Sequence, residues 1–278
     1  KPRIAALAEQ HKTYHKQIED IKVSSLAQED SNSTNIIERT VAVGDGNRVK
    51  ISTPHLNGSI SLKGLRFDDI TLADYKQEVD SATPVELLSP VTTKNSYFAE
   101  VGWYSDSSEA DLPNKDSVWT SDKDLLEVGN PVIFSWRNNS GILFKVKVSI
   151  DEHYMFSVEQ SAHNNSSKPL VLRSYALINR TYDTAAIAAN NILHEGLIGV
   201  VDGTLEDASY EKIKDKKSKR FAAAKVDWFG ITDKYWLTAF VPDQRHQYSS
   251  SFSYDIRNGS DVYQADFLGP QYVLDVGK

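Results

Sequence analysis

The chain contains no cysteine among its 278 residues, which excludes disulfides, thiol catalysis and thiolate metal sites. It also lacks a basic excess. Lys and Arg number 31 against 38 Asp and Glu, a net charge of -7, so neither nucleic acid nor an anionic lipid surface is expected as the main partner. No run approaches the roughly 18 apolar residues of a membrane-spanning helix, and no signal-peptide pattern opens the chain. As a sequence it reads as soluble; if it belongs to a membrane protein, it lies between spans. A G-x-S-x-G elbow, a phosphate-cradling glycine loop and EF-hand spacing are missing too. No catalytic residue, metal or cofactor is therefore expected. A chain of this length can bury about 75% of its unfolded surface, so it needs no covalent staple.

What is present divides into two parts. In residues 1–23, Ile4, Leu7, Tyr14, Ile18 and Ile21 recur at alternating spacings of three and four, with His11 in the missing place. That seam predicts one amphipathic helix of about five to six turns. Residues 24–35 are polar and aperiodic, a linker. The expected organisation is a helix and linker over 1–35 and a β domain over 36–278.

From Ile36 onward the periodicity is two. Phe144, Val146, Val148 and Ile150 alternate with Lys145, Lys147 and Ser149, and Tyr154, Phe156 and Val158 resume the pattern. This predicts a hairpin with one wet face. Tyr248, Phe252, Tyr254 and Ile256 alternate with serines in the same way, and Ser59–Leu65 alternates between Gly58 and Gly64 as turn or bulge positions. Pro169–Ile178 is apolar on both faces, as a central strand is. Trp228–Asp243, WFGITDKYWLTAFVPD, is the most distinctive stretch. Its portion Lys234–Val241 reads as a strand buried on both faces. Gly44-Asp45-Gly46 reads as a hairpin turn. Thr204–Lys217 is a helix candidate, with Thr204 and Asp207 as a capping box. Strands separated by turn chemistry, with little helix, make a large antiparallel sandwich.

Four segments in order, NGSISLKGLRFDDITL at 57–72 with PVELLSP at 84–90, LHEGLIGV at 193–200 with SYEKI at 209–213, the Trp228–Asp243 stretch, and ADFLGP at 265–270, closely resemble the large periplasmic domain of YidC-type membrane-protein insertases. The resemblance implies a β-supersandwich, two large twisted sheets related to sugar mutarotases, with helical material near the C-terminus. It implies a non-catalytic accessory domain on the periplasmic side of the bacterial inner membrane, the full-length protein being an integral membrane protein. The implied role is insertion and folding of inner-membrane proteins through contacts with nascent membrane proteins and accessory subunits of the Sec translocon. The alternative is a periplasmic carbohydrate-binding or mutarotase-like β-sandwich.

Mutarotase chemistry needs a histidine and a carboxylate converging on a sugar. His194-Glu195 is the local candidate, with His153 and Glu159 also available. Adjacent residues on a strand point to opposite faces, so a histidine satisfied by a backbone carbonyl is the expected state of His194. His11 and His15 share a helical face without a third ligand. The five tryptophans could line a groove, although most are expected between the sheets. Possible groove or partner contacts are His194, Glu195, Trp228, Tyr235 and Trp236. A free sheet edge could also accept an extended partner.

Overall fold

The structure, a computed structural model, describes residues 36–278 apart from 45, 79, 108–109, 184–193 and 234. The helix, linker and His11/His15 pair expected over 1–35 lie outside the described residues. Nineteen strands and two short helices, α1 (Arg39–Gly44) and α2 (Tyr210–Lys216), make up the described chain. The large sheet runs β14 (Ser218–Ala224), β17 (Tyr248–Arg257), β18 (Ser260–Leu268), β11 (Leu170–Thr181), β5 (Tyr97–Tyr104), β3 (Arg66–Lys76), β2 (Leu56–Ser61), β1 (Arg48–Ser52) and β7 (Leu125–Leu126). Two further strands join it, β4 (Pro84–Leu88) on β3 and β19 (Tyr272–Leu274) on β11. Its pairings are antiparallel except β1 with β7. A second sheet has the order β10 (Phe156–Asn164), β9 (Ile142–Ile150), β8 (Val132–Arg137), β6 (Thr120–Ser121). A third has the order β13 (Thr204–Ser209), β12 (Gly196–Val201), β15 (Val226–Thr232), β16 (Leu237–Phe240).

The layers follow from where the aromatic side chains meet. Trp103 of the large sheet lies 5.0 Å from Phe144 of the second, and Phe67 meets Phe156 at 5.6 Å. Phe252 of the large sheet stacks on Phe229 of the third at 4.3 Å and 10°. The second and third sheets therefore cover the same face of the large one, and the fold is an antiparallel β-supersandwich whose second layer comes in two pieces. Each large side chain buried between the layers contributes about 1.5–3 kcal/mol. Trp103 and Trp119, stacked at 6.4 Å, belong to this interior rather than to a groove. The expected central strand is β11, held between β18 and β5, and the expected hairpin is β9–β10.

The opposite face of the large sheet is buried as well, and polar. Arg66 donates to Glu100 at 3.1 Å and Tyr175 Oη donates to Glu100 at 3.0 Å. Asn179 donates to Gln264 at 3.0 Å, and Ser251 and Gln264 donate to Asp266. The Tyr175 ring lies across Gly102, where a Cβ would sit 2.6 Å from its hydroxyl oxygen, so only glycine fits. The serine side of β17, expected to be wet, is thus buried: Ser249 and Ser251 lie inside, and Ser251 bonds Asp266. Alternation reports two different faces but not whether the polar one meets water or a buried polar network.

Three local readings are corrected. Gly44 ends helix α1, whose Arg39 pairs with Asp69, so no hairpin forms there. Thr204–Ser209 is strand β13 and only Tyr210–Lys216 is helical, capped by Ser209, whose side chain accepts from Lys212 N. Asp202 and Gly203, both at positive φ, make a two-residue hairpin turn, and that turn chemistry overrides the capping pattern. No helix follows α2 among the described residues, against the expected helical material near the C-terminus.

Candidate partner-binding surface

The third sheet has one face in the core and one turned away from it. Register assigns Leu197, Phe229 and Ile231, all buried, to the inner face. It sets Leu205, Val200 and Trp228 side by side on the outer face, one from each of three adjacent strands. Leu237 and Ala239 of β16 stand on that same side, opposite Thr232 and Gly230. Exposure is high for an apolar set: Leu205 59%, Leu237 47%, Val241 62% and Tyr235 71%. Ile198, Val200 and Trp228 are partly buried between them. Lone exposed apolar residues are ordinary, whereas a contiguous row marks an interaction surface.

This overturns the reading of Lys234–Val241 as buried on both faces. Lys234 lies outside the described residues. The strand itself is Leu237–Phe240, an outer strand with Leu237 and Ala239 exposed. An apolar run on both faces has the same pattern whether its second face meets protein or water.

The structure does not bring together the five residues expected to contact a groove or partner. Trp228 and Tyr235 stand on or beside the outer face. Trp236 turns inward and meets the Tyr75 ring edge-on at 4.6 Å. His194 Nε2 lies 3.3 Å from the Leu197 carbonyl oxygen, the backbone satisfaction expected of it, and its Nδ1 is 3.9 Å from Asp207. Glu195 instead accepts from Tyr182 Oη at 2.9 Å, so the adjacent His194 and Glu195 have separate partners.

Behind Glu195 is a partly buried cation that sequence reading missed. Arg180 of β11 pairs with Asp233, donates to Tyr210 Oη at 3.2 Å and lies over the rings of Tyr97 and Tyr182 at 4.7 and 4.6 Å. Asp233 sits in the β15–β16 turn, so this cluster pins the third sheet to the large one. Burial, reinforced by the Glu195 carboxylate, pushes the Tyr182 phenol up to about 12. A buried arginine needs a carboxylate and ring faces around it, and these residues are too far apart in sequence to be seen together.

A second cluster ties the turns of all three sheets. His55 bonds Asp74, Tyr154 Oη donates to Asp74 at 3.1 Å, and the neighbouring Tyr75 meets Trp236. Tyr154 has φ 82°, a conformation that costs a side-chain-bearing residue energy. Among the described residues no group of three or more His, Asp or Glu is placed to hold a metal ion.

The fold and this surface define a large β-supersandwich with an apolar outer sheet; no described helix is long and apolar enough to cross a membrane. The similarity to known proteins agrees with the motifs. The family model for the YidC periplasmic domain matches residues 48–278, and the chain belongs to that family. The membrane protein insertase YidC of Rickettsia felis is 50% identical over 232 residues, 83% of this chain and 41% of the relative. The same name is carried by similar proteins of Rickettsia rickettsii, 50% identical, and Rickettsia bellii, 49% identical, over the same shares. The chain thus spans about two fifths of the length of the curated relatives it matches. Among solved structures it is similar to a galactose mutarotase-like protein from Lactobacillus casei, with TM-score 0.46 and 11% identity over 79% of this chain and 87% of that one. A galactose mutarotase related enzyme from Lactobacillus acidophilus gives TM-score 0.45 and 9% identity over 83% and 93%.

Proposed function

We propose that this chain is the periplasmic portion of an inner-membrane insertase and works without catalysis. It assists insertion and folding of inner-membrane proteins through protein–protein contacts, with nascent membrane proteins and Sec translocon accessory subunits as partners. Residues 1–35 serve as the tether that joins the β domain to a preceding span. The observation that carries the reading is 50% identity to proteins named membrane protein insertase over 83% of the chain. The exposed apolar row of the third sheet is consistent with a partner surface, and the separate bonding of His194 and Glu195 argues against mutarotase-type acid–base work.

The test uses the full-length insertase in cells depleted of their own. Photo-crosslinking residues at Leu205, Leu237 and Val241 are expected to capture membrane-protein clients or translocon subunits, whereas one at the exposed Ser157 of the second sheet is not. Deleting residues 36–278 is expected to slow insertion or folding of a reporter. Unchanged insertion of every reporter, with no crosslink from the outer row, would sink the proposal. Turnover of a sugar anomer by the isolated chain would refute its non-catalytic part.

A further inference from the structure

The chain holds two Asn-Gly pairs, Asn57-Gly58 and Asn258-Gly259. In such a pair the glycine nitrogen is one ring closure away from the asparagine carboxamide carbon, and no side chain obstructs it. Attack within one dipeptide is intramolecular, so the freedom of that nitrogen and the room around it decide the rate. The fold treats the two pairs in opposite ways. Gly58 sits inside β2, opposite Ile51 of β1 and Ile70 of β3. Along the β1–β2 pairing Thr53 N donates to Leu56 O and Leu62 N to Asn47 O, so by alternation Gly58 N donates to Ile51 O. A Cβ on Gly58 would lie 1.9 Å from the Asp69 carbonyl oxygen, which leaves no space beside it. Asn258-Gly259 is instead the whole of the loop between β17 and β18. Its φ angles of 49° and 78° make the two-residue hairpin turn that Asn-Gly favours. Tyr254 N turns away from β18 to donate to Lys217 O, so Arg257 and Ser260 form the last bonded pair and Gly259 N lies beyond it. Both turn residues are exposed, and a Cβ on Gly259 would meet nothing within 4 Å.

We propose that Asn258 is a self-modification site, where the turn converts its own side chain to a carboxylate. Gly259 N attacks Asn258 Cγ and a bond forms between them. The Cγ–Nδ2 bond breaks, and ammonia leaves carrying the proton lost from the Gly259 amide. Water then opens the cyclic imide. Opening at Cγ gives aspartate with the original main chain. Opening at the backbone carbonyl gives isoaspartate, in which the main chain runs through the former side chain. Water is the only co-reactant, and ammonia the only product released. The two outcomes differ in what they do to the hairpin. Aspartate tolerates the left-handed conformation, so the turn survives with one more negative charge beside Asp255 and Asp261. Isoaspartate adds a methylene to the main chain. Loop length fixes the register of a hairpin, so the lengthened turn no longer closes the Arg257–Ser260 pair. The disturbance has a route inward through Asp261. Tyr254 Oη donates to Asp261 at 2.8 Å, Lys214 of α2 pairs with it, and Tyr182 N donates to its carbonyl at 3.1 Å. A turn loosened by isoaspartate therefore slackens the hold of the hairpin on α2 and on β11.

The inference stands apart from the insertase reading and is tested on the 278-residue chain alone. The protein is held at mildly alkaline pH and sampled over days. Peptide mapping by mass spectrometry follows each asparagine, with fragmentation that separates isoaspartate from aspartate. In the folded chain Asn258 is expected to convert at least tenfold faster than Asn57. In concentrated urea, where neither glycine nitrogen is held, the two are expected to convert at the same rate. Equal conversion in the folded chain overturns the proposal. So does conversion of Asn258 at least tenfold slower folded than in urea, because the closed turn then keeps nitrogen and carboxamide apart. Hydrogen exchange reads the consequence for the hairpin. The isoaspartate form should lose protection at Arg257 and Ser260 at least tenfold while Glu100 and Tyr175 of the central strands keep theirs. Asn258→Asp, which carries the charge without the longer main chain, should keep protection at all four. Full protection in the isoaspartate form, or equal loss in Asn258→Asp, overturns the assignment of the effect to turn length.

Discussion

Replacing Asp266 by Asn should flatten the pH dependence of stability between pH 5 and 8. Asp266 stands on the buried polar face of β18, turned away from the other two sheets and accepting from Ser251 and Gln264. Burial raises its carboxyl from 3.8 to about 7, against the pull of the Gln264 and Ser251 hydrogen bonds and the Arg220 charge. The folded state therefore holds a proton that the unfolded chain releases near pH 4. A group raised in this way stabilises fully below its unfolded value and loses that contribution as pH rises toward 7. A carboxyl raised from 3.8 to about 7 is worth about 4 kcal/mol in full, of which roughly 2–3 kcal/mol falls between pH 5 and 8. Asp74, Asp116, Asp151 and Asp243 are held below their ordinary value, so they titrate below this window. Asp68 is raised by burial and slopes the same way, which is why the comparison must be with the Asn variant rather than with theory. Asn keeps the shape and the hydrogen bonds of the protonated acid. Urea unfolding should show the parent losing stability from pH 5 to 8 by about 2–3 kcal/mol more than Asp266→Asn, close to 1 M in midpoint at a slope of ~3 kcal/mol/M. Equal losses in the two proteins would refute the reasoning, because the carboxyl would then be ionised in the fold.

Other outcomes follow from packing and from the Arg180 cluster. Trp103→Ala, buried against Trp119 and Phe144, should cost about 3–5 kcal/mol in a urea melt, whereas the exposed Tyr235→Ala should stay within about 0.5 kcal/mol. Gly230→Ala would place a Cβ 2.1 Å from the Thr238 carbonyl oxygen. It should cost about 1–3 kcal/mol and strip hydrogen-exchange protection from Ile231 and Thr238 as β16 lifts away. Glu195→Gln should lower the Tyr182 phenol from about 12, since it removes the neighbouring carboxylate, but leave it above the ordinary 10 because burial is the larger cause. Spectrophotometric titration of the tyrosines, with Tyr182→Phe as the reference, reads the change.

Alternation by itself announced the strands that run through 144–150, 156–158 and 248–256, because side chains on an extended chain must face opposite ways. The doubly apolar run before Thr181 likewise announced a strand central to its sheet. Motifs in order announced the family. Local chemistry also predicted that His194 and Glu195 would not converge. Only the tertiary structure decided which apolar faces are covered. Leu237 and Val241 read as core because a hydrophobic pattern records what a residue avoids, and exposure depends on whether another sheet reaches it. The serines of β17 read as wet for the converse reason, and they are buried because Asp266 and Gln264 supply partners from the next strand. The Arg180 cluster joins positions from 97 to 233, so it leaves no local pattern. The cluster exists because the third sheet lies over the large one, which no single segment of the chain encodes.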